Sequence, residues 1–277
     1  MTLRLTILCE NSVGRPLGLI GEHGFACFLQ TPSGDFLFDT GSGLGIDTNA
    51  ELLNLELANL QGIILSHGHY DHVGGLAKVL ARTGPINVYA HPDLFSPRVS
   101  LAGAKPRQIG VPYSREQLEQ LGARFHFSRE AVALTPELMI SGEIPRTTDF
   151  ELGDPNLCCA DPNGIMHPDP LADDLSLFIK TDQGLTVLLG CAHAGLINIL
   201  EYARQLTEGQ DLHTVVGGTH LMFYDDQQFR QTLERLDGYH IERLGAAHCT
   251  GLQQASRLAT HFGERFFFAS VGTVLEI

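Results

Sequence analysis

No stretch of this sequence approaches the run of about 20 apolar residues that a membrane-spanning helix needs. Positive charge is also scarce, since 18 lysines and arginines stand against 32 aspartates and glutamates and the formal net charge is −14. That surplus of negative charge opposes non-specific attraction to nucleic acid and to anionic lipid. We therefore expect neither nucleic acid nor a membrane as a partner, and a nuclease is disfavoured.

The six cysteines lack the regular spacing of a disulfide framework. Two of them, Cys9 and Cys27, stand in predicted strands and are expected to be small buried apolar residues. The N-terminal apolar stretch is too short for the hydrophobic region of a signal peptide, and Arg4 and Thr6 interrupt it. We therefore expect a strand there and a cytoplasmic location for the protein.

The composition and patterning are those of a globular α/β protein. Hydrophobic residues make up 43% of the chain and charged residues 18%, and short apolar segments alternate with helical ones in both halves. A single domain over residues 1–277 is predicted. The stretch at about 92–172 contains ten of the thirteen prolines and little periodicity, so we expect an insertion or lid there.

The stretch SHGHYDHVGG, residues 66–75, directly follows the predicted buried strand GIILS. His67 and His69 are one residue apart on an extended segment, so both side chains point to the same side and can bind one ion. Asp71 and His72 then face the adjoining space and can bind a second ion. Because ligands bind at the carboxyl ends of strands in open α/β sheets, the spacing predicts a site for two divalent metal ions.

Further ligands are expected at the ends of other strands. His193 in GCAHAG follows the apolar run LTVLL, and His248 in AAHCTG follows IERLG; both are predicted to coordinate metal. His220 in GGTHL lies at a fourth strand end, where a catalytic contact with substrate, support of a ligand and an ordinary turn are alternatives. Thr250 with Gln253 predicts a capping box for the helix after His248.

The H-x-H-x-D-H motif, the later single histidines and Asp39 in FLFDTG together resemble the metallo-β-lactamase superfamily. The similar segments extend over nearly the whole chain and include EHGFACFLQTPSGDFLFDTG, LSHGHYDHVGGL, GEIPRTTDFE, GCAHAGLIN, GGTHL and AAHCTG. They resemble one branch of the superfamily, named after an archaeal dihydropterin-ribofuranosylaminobenzene 5′-phosphate synthase. The resemblance implies an α/β fold of the αββα type, a four-layer sandwich.

The resemblance also implies a set of metal ligands. The first ion would be bound by His67, His69 and His193, and the second by Asp71, His72 and His248, with Asp39 in a structural role near the metal loop. Most members have an aspartate bridging the two ions where this chain has Cys191, which is either a ligand or a buried strand-end thiol. A coordinating thiolate would favour zinc over manganese.

Two points of this ligand set stay open at the level of sequence. Members usually supply a further histidine ahead of the strand at 175–181, and the alternatives for that position are His167, Asp173 and Asp174. The identity of the two ions is also open, with zinc preferred and iron or manganese as alternatives.

Several residues are candidates for binding an anionic small molecule. Arg146, beside two threonines in GEIPRTTDFE, suits a phosphate or carboxylate group. Glu22 and His23 in GEHGF either line the pocket or form an ordinary turn. For the basic cluster in the proline-rich stretch, a solvated loop is slightly favoured over anion recognition; it consists of Arg98, Lys105 and Arg107.

Three functions are compatible with these features. The first is a hydrolase of a small phosphorylated metabolite, in which a metal-bound hydroxide attacks and Asp71 orients or deprotonates the water. The second, implied by the branch resemblance, is a transferase that joins a dihydropterin to an aminobenzene phosphate. The third is a non-catalytic metal-binding sensor, which the missing bridging aspartate favours and the intact H-x-H-x-D-H motif disfavours.

Overall fold

The computed structural model describes residues 3–161 and 163–277. Eighteen strands and seven α-helices are assigned within these residues. The strands are β1 (Arg4–Cys9), β2 (Ala26–Thr31), β3 (Gly34–Phe38), β4 (Gly62–Ile64), β5 (Ile86–Ala90), β6 (Arg98–Ser100), β7 (Arg107–Gln108), β8 (Ala123–Phe127), β9 (Val132–Ala133), β10 (Leu138–Ile140), β11 (Leu157–Ala160), β12 (Met166–Pro168), β13 (Ser176–Thr181), β14 (Gly184–Leu189), β15 (Leu212–Gly218), β16 (Arg243–Ala247), β17 (Phe266–Phe268) and β18 (Val274–Glu276). The helices are α1 (Ile46–Leu52), α2 (Tyr70–Val73), α3 (Leu76–Thr83), α4 (Arg115–Gln120), α5 (Leu196–Leu206), α6 (Asp226–Leu236) and α7 (Leu252–Phe262).

The strands form two large sheets and one small one. The first large sheet has the order β18-β1-β2-β3-β4-β5-β8, and the second has the order β17-β16-β15-β14-β13-β10-β9. Each large sheet combines antiparallel pairs, such as β1 with β2 and β13 with β14, with a parallel part, β3-β4-β5-β8 or β14-β15-β16-β17. The small sheet has the order β12-β11-β6-β7.

Three hydrophobic cores define the layers of the molecule. The central core lies between the two large sheets and includes Ile7, Phe38, Ile179 and Val216. A second core packs α1, α3 and α4 against the first sheet, and a third packs α5, α6 and α7 against the second sheet. Burying one face of each helix and both faces of each sheet produces the order helix, sheet, sheet, helix. The predicted αββα sandwich is confirmed.

The proline-rich stretch at 92–172 is distributed over several parts of the molecule. Its strand β8 pairs with β5 in the first sheet, and its strand β10 pairs with β13 in the second. The remaining strands of this stretch, apart from β9, build the small sheet. In the described part of this stretch, the small sheet, α4 and the connecting segments lie outside the two large sheets. The single domain with a lid stays a prediction.

Helices α4 and α7 differ in how their N-termini are capped. The capping box of α4 is present, since the Ser114 hydroxyl accepts a hydrogen bond from the Gln117 backbone N–H. The capping box predicted at Thr250 is wrong, because Gly251 is the N-cap of α7 and makes no side-chain cap. Thr250 instead bonds Thr219 and links the ends of β15 and β16, with 2.9 Å between the two hydroxyl oxygens.

All six cysteines lie in the described part of the chain, and all are free thiols. Cys9 and Cys27 are fully buried, as expected of small apolar residues. Within residues 3–161 and 163–277, no helix is both long and apolar enough to cross a membrane.

Candidate metal centre

The candidate site lies where strands of both large sheets end. The metal loop, residues 66–75, follows β4 of the first sheet. In the second sheet, β14 leads to Cys191 and His193, β15 leads to His220, and β16 leads to His248. Parallel strands present their carboxyl ends at one edge of a sheet, so the fold brings these side chains together from distant parts of the sequence.

The first cluster consists of His67, His69 and His193. Each ring offers one nitrogen, and these three nitrogens lie within 4.8 Å of one another. All three side chains are buried. The Nε2 atoms of His69 and His193 have no hydrogen-bond partner among the residues that the structure describes. The His67 Nε2 and His69 Nδ1 atoms lie 2.9 Å apart, and the buried His193 Nε2 has no partner among these residues, so this convergence of ring nitrogens fits a bound cation.

The three imidazoles of the first cluster are in the form that binds metal. Burial lowers the pKa of His69 to about 3. Burial and the neighbouring histidines also hold the pKa values of His67 and His193 well below the usual range. Neutral imidazoles coordinate without first releasing a proton, so the first cluster is ready to bind an ion at neutral pH.

The second cluster is built around His72. Its Nε2 lies 3.1 Å from Cys191 Sγ and 3.3 Å from His248 Nε2. The Oδ2 atom of Asp71 lies 3.3 Å from the same nitrogen of His248. An imidazole pair, a thiol and a carboxylate therefore converge in one buried region. This is a mixed donor set that can bind a divalent ion.

Asp39 contacts His72 on the side of the ring that faces away from the second cluster. Its backbone has a φ of 59°, in the left-handed region that aspartate tolerates better than most residues. The carboxylate accepts hydrogen bonds from the Ser66 backbone N–H and hydroxyl, at 2.7 and 2.6 Å, and lies 2.7 Å from His72 Nδ1. Burial alone would lower the pKa of His72, but the charge and hydrogen bond of Asp39, together with the charge of Asp71, outweigh burial and raise that pKa to about 9. Asp39 thus fixes the orientation of the ring and also favours its protonated form.

His248 is held by residues at the end of β1. Its backbone N–H donates to Glu10 Oε1 at 2.7 Å, and its Nδ1 lies 2.9 Å from Asn11 Oδ1. These two contacts orient the ring toward His72 and Asp71. Neither Glu10 nor Asn11 follows a metal-binding pattern, and both lie more than 230 positions away from His248 in the chain, so sequence reasoning missed them.

Asp71 and His23 lie at the solvent side of the second cluster. His23 Nε2 is 3.2 Å from Asp71 Oδ2, and the His23 side chain is 59% exposed while that of Asp71 is 10% exposed. Burial opposes ionisation of Asp71, but hydrogen bonds from His23 and His248 hold its pKa well below the usual range. Asp71 is therefore a carboxylate at neutral pH, and His23 is the group at this cluster that solvent reaches most easily.

Glu22, the neighbour of His23, does not face the site. It is buried, and its Oε2 accepts hydrogen bonds from the Ser42 hydroxyl and from the backbone N–H groups of Leu44 and Gly45. Glu22 therefore stabilises the turn that precedes α1. The prediction that it contacts substrate is not supported by this placement.

A cavity of about 820 Å³ opens beside the first cluster. His193 and His220 lie at its wall together with Arg146 and the aromatic residues Phe223 and Tyr224. The ring of His220 is 4.3 Å from that of His193, measured between centroids, and burial lowers the pKa of His220 to about 4. His220 thus presents a neutral imidazole to the cavity.

Arg146 is fixed at this cavity by two backbone carbonyls. Its guanidinium donates hydrogen bonds to the carbonyl oxygens of His193 and Pro170, at 2.8 and 2.7 Å. A guanidinium has five N–H donors, so others remain for a ligand. The structure therefore places Arg146 where the sequence analysis expected a residue for anion recognition.

Arg98 has a different role from the one considered for the basic cluster. It is 1% exposed and forms ion pairs with Asp169 and Asp173, both at 2.7 Å. Asp173 in turn accepts a hydrogen bond from the Gly68 backbone N–H at 2.8 Å, inside the metal loop. Arg98 therefore links the small sheet to the metal loop, whereas Lys105 and Arg107 are exposed.

The comparisons with known proteins agree with this geometry. The family model described as the metallo-beta-lactamase superfamily matches residues 20–204, which is more than half of the chain. The chain belongs to the metallo-beta-lactamase superfamily. Members of this fold generally bind divalent metals, and this chain has His, Cys and Asp groups that could bind them.

A relative of the chain within the superfamily comes from Methanocaldococcus jannaschii. This protein, 7,8-dihydropterin-6-methyl-4-(beta-D-ribofuranosyl)-aminobenzene-5′-phosphate synthase, is 27% identical over 288 residues, covering 99% of this chain and 96% of its own length. The branch resemblance seen in the sequence is therefore confirmed.

Solved structures share the superfamily fold. Tm1679 is described as a metal-dependent hydrolase of the beta-lactamase superfamily. Its structure superposes on this one with a TM-score of 0.84 at 24% identity, and the match covers 99% of each chain. Zn²⁺-bound PqqB from Methylobacterium extorquens has a TM-score of 0.55 at 13% identity, over 99% of this chain and all of its own. At these identities the likeness extends to the fold alone.

The superfamily's further ligand position, ahead of the strand at 175–181, is not filled by the residues considered for it. His167 is exposed and lies 3.6 Å from Asp161, and Asp173 pairs with Arg98. Asp174 is buried and accepts a hydrogen bond from the Ala194 backbone N–H at 2.8 Å. Burial raises the pKa of Asp174 to about 7. None of the three belongs to the clusters of ligand-type atoms found in the described chain, whereas His193, which was predicted separately for the first ion, lies in the first cluster.

Cys249 is the site residue that sequence reasoning passed over. Its thiol is buried and belongs to a third group of ligand-type atoms with Cys191 and His248, all within 4.8 Å of one another. The signal was present in the sequence, because Cys249 directly follows His248 at a strand end. A buried cysteine is usually a small apolar residue, so this signal is weak without the structure.

Proposed function

We propose that this protein is a metal-dependent hydrolase that acts on a small phosphorylated metabolite. The observation that carries the proposal is the first cluster, where His69 and His193 hold two buried ring nitrogens without a partner in the described chain, beside a cavity of about 820 Å³. Such an arrangement is costly in a purely structural site and suits a cation next to a bound substrate.

Two ions are expected, with zinc as the preferred metal. His67, His69 and His193 would hold the first, and Asp71, His72, His248 and Cys191 the second. Imidazole and thiolate donors favour zinc over manganese or magnesium. Bound divalent ions would lower the pKa of water and stabilise negative charge that develops on the substrate.

The protein's own side chains have distinct roles in this proposal. Asp71 is ionised and can accept a hydrogen bond from the attacking water, which it would orient or deprotonate. His220 is neutral and lines the cavity, so it can donate or accept a hydrogen bond to the substrate without adding charge. Both assignments follow from position and protonation state.

The substrate is expected to carry an anionic group. Arg146 presents N–H donors at the cavity while two carbonyls hold its guanidinium in place. A planar guanidinium matches the geometry of phosphate and carboxylate oxygens. With a net charge of −14, the chain repels polyanions at long range, so a small molecule suits this site better than nucleic acid.

Metal content and hydrolysis of generic substrates test the proposal together. The purified protein, loaded with zinc, should hydrolyse a phosphomonoester, a phosphodiester or a carboxylic ester, and a chelator should abolish that turnover until zinc is restored. His67→Ala should lose the activity. His126→Ala is the matched control, because that histidine is exposed and bonds Asn87 on the first sheet. Full turnover by metal-free protein would refute the proposal.

A second candidate is a synthase-like transferase, favoured by the 27% identity over nearly full length to the archaeal synthase. In that case Arg146 would bind the phosphate of a substrate whose carbon centre is attacked by another molecule rather than by water. Tight binding of a dihydropterin to the zinc-loaded protein, with no hydrolysis of any ester, would favour the transferase over the hydrolase.

A further inference from the structure

A second sulfur lies beside Cys191 at the second cluster. Cys191 follows β14 and Cys249 follows β16, and the two thiols form one group with His248 in which the ligand-type atoms lie within 4.8 Å of one another. We propose that Cys249 is a metal ligand, so that two thiolates, from Cys191 and Cys249, coordinate the second ion.

A glycine between the two strands allows the thiols to approach. Strand β15 lies between β14 and β16 and ends in Gly218. A Cβ atom on Gly218 would lie 2.8 Å from Cys249 Sγ and 3.4 Å from the Cys191 Cα. The same Cβ atom would lie even closer to the Gly190 carbonyl oxygen, so a side chain at this position would displace that backbone and the Cys249 sulfur, and its absence leaves the sulfur room beside the Cys191 backbone.

Two hydrogen bonds hold the sulfur of Cys249 in place. The His220 backbone N–H donates to Cys249 Sγ at 3.3 Å, and the thiol donates to the Cys191 carbonyl oxygen at 3.4 Å. Hydrogen bonds that orient a side chain are typical of the groups around metal ligands. These contacts keep the Cys249 sulfur next to Cys191.

A buried apolar cysteine would have a different environment. Cys27, for example, lies in the central core among aliphatic and aromatic side chains. Cys249 instead adjoins His248, and its sulfur lies within 4.8 Å of the ligand-type atoms of Cys191 and His248. Two thiolates with two imidazoles form a soft donor set, which selects zinc or cadmium over magnesium and manganese. Each thiol gives its proton to solvent when the ion binds.

This inference rests on the metal centre of the proposed function, but its test does not depend on turnover. Cobalt is loaded into the metal-free protein in place of zinc, and the thiolate-to-cobalt charge-transfer band is measured per bound ion. Cys249→Ser and Cys191→Ser should each reduce the band by about half, and the double variant should lose it. Cys159→Ser is the matched control, since that thiol lies in the small sheet, and should leave the band unchanged.

Proton release gives an independent readout in the same variants. Loading the second site should release about one proton fewer in Cys249→Ser than in the wild-type protein, because one thiol fewer is deprotonated. A band and a proton count equal to wild type in Cys249→Ser would overturn the inference. Should this variant fail to fold, cadmium NMR of the wild-type protein decides. A chemical shift typical of two sulfur ligands supports the proposal, and one typical of a single sulfur refutes it.

Discussion

The two halves of the candidate centre differ in the protons they carry. The first cluster, His67, His69 and His193, consists of imidazoles that burial keeps neutral. In the second, His72 is protonated through Asp39, and burial with the neighbouring Cys249 raises the pKa of the Cys191 thiol well above its usual range. The first cluster can bind an ion at once, whereas the second must release protons to do so.

This difference indicates how one fold can provide two unequal metal sites. Both clusters use side chains of the metal loop together with residues from the second sheet. The two clusters differ in the groups that hydrogen-bond to their ligand side chains. Asp39 contacts His72 of the second cluster directly, whereas it reaches the first cluster through Ser66, whose hydroxyl oxygen lies 2.9 Å from His67 Nδ1. We therefore expect these outer groups to set the order in which two ions would bind.

The largest effect is expected from removing a ligand of the first cluster. His69→Ala should abolish binding of the first ion and reduce hydrolysis by more than the roughly 10–100-fold that loss of an outer partner costs. The measurement is zinc content by elemental analysis together with kcat for a generic ester. Retention of two tightly bound ions in this variant would remove His69 from the ligand set.

The second ion should bind in a strongly pH-dependent manner. His72 has a pKa of about 9, so below that pH a proton competes with the metal, and the raised pKa of Cys191 adds to the competition. The apparent affinity for the second ion should rise about tenfold per pH unit for each proton displaced. Zinc titrations against a chromophoric chelator between pH 6 and pH 9 measure this slope. Equal slopes for both ions would contradict the proposed difference in proton release between the two clusters.

Asp39→Asn should act mainly on the second cluster. The shape is preserved and asparagine tolerates the positive φ, but the charge beside His72 and one acceptor for Ser66 are lost. At pH 9 and above, where a proton no longer competes at His72 of the wild-type protein, we expect affinity for the second ion to fall by roughly 10–100-fold, with a smaller change at the first. Asp182→Asn, in the exposed turn between β13 and β14, is the control. An equal loss at both sites would show that Asp39 supports the whole loop.

The smallest effect is expected at Arg146, which lies beside the first cluster. Arg146→Lys keeps the charge but loses the fork of N–H donors, and KM for an anionic substrate should rise about tenfold while both metal affinities stay unchanged. Arg82→Lys, at an exposed ion pair with Asp47, is the control. A change in zinc affinity would mean that Arg146 supports His193 instead of binding substrate.

Much of the fold and the local part of the centre could be predicted from sequence. His67, His69, Asp71 and His72 lie within six positions, so one spacing places all four. The alternation of strands and helices, with the resemblance of the motifs, was sufficient for the αββα architecture. His193 and His248 could also be placed, because both follow apolar runs that end at the same edge of a sheet.

The residues that sequence reasoning misjudged depend on partners far away in the chain. Arg98 is neutralised by Asp169 and Asp173, which lie more than 70 positions later. Glu22 bonds a turn some 20 positions away instead of facing the pocket. Likewise, the pairing of β8 with β5 and of β10 with β13 is non-local and leaves no periodic signal in a proline-rich stretch.

Anomalous diffraction at the zinc edge, from crystals of the zinc-loaded protein, tests the central claim most directly. We expect two peaks, one among the ring nitrogens of His67, His69 and His193 and one between His72, His248 and Cys191. A single peak in the first cluster at low pH, joined by the second at higher pH, would also agree with the account, because the second cluster must release protons to bind its ion. Zinc bound only elsewhere on the surface, with these imidazoles free of metal, would contradict the account.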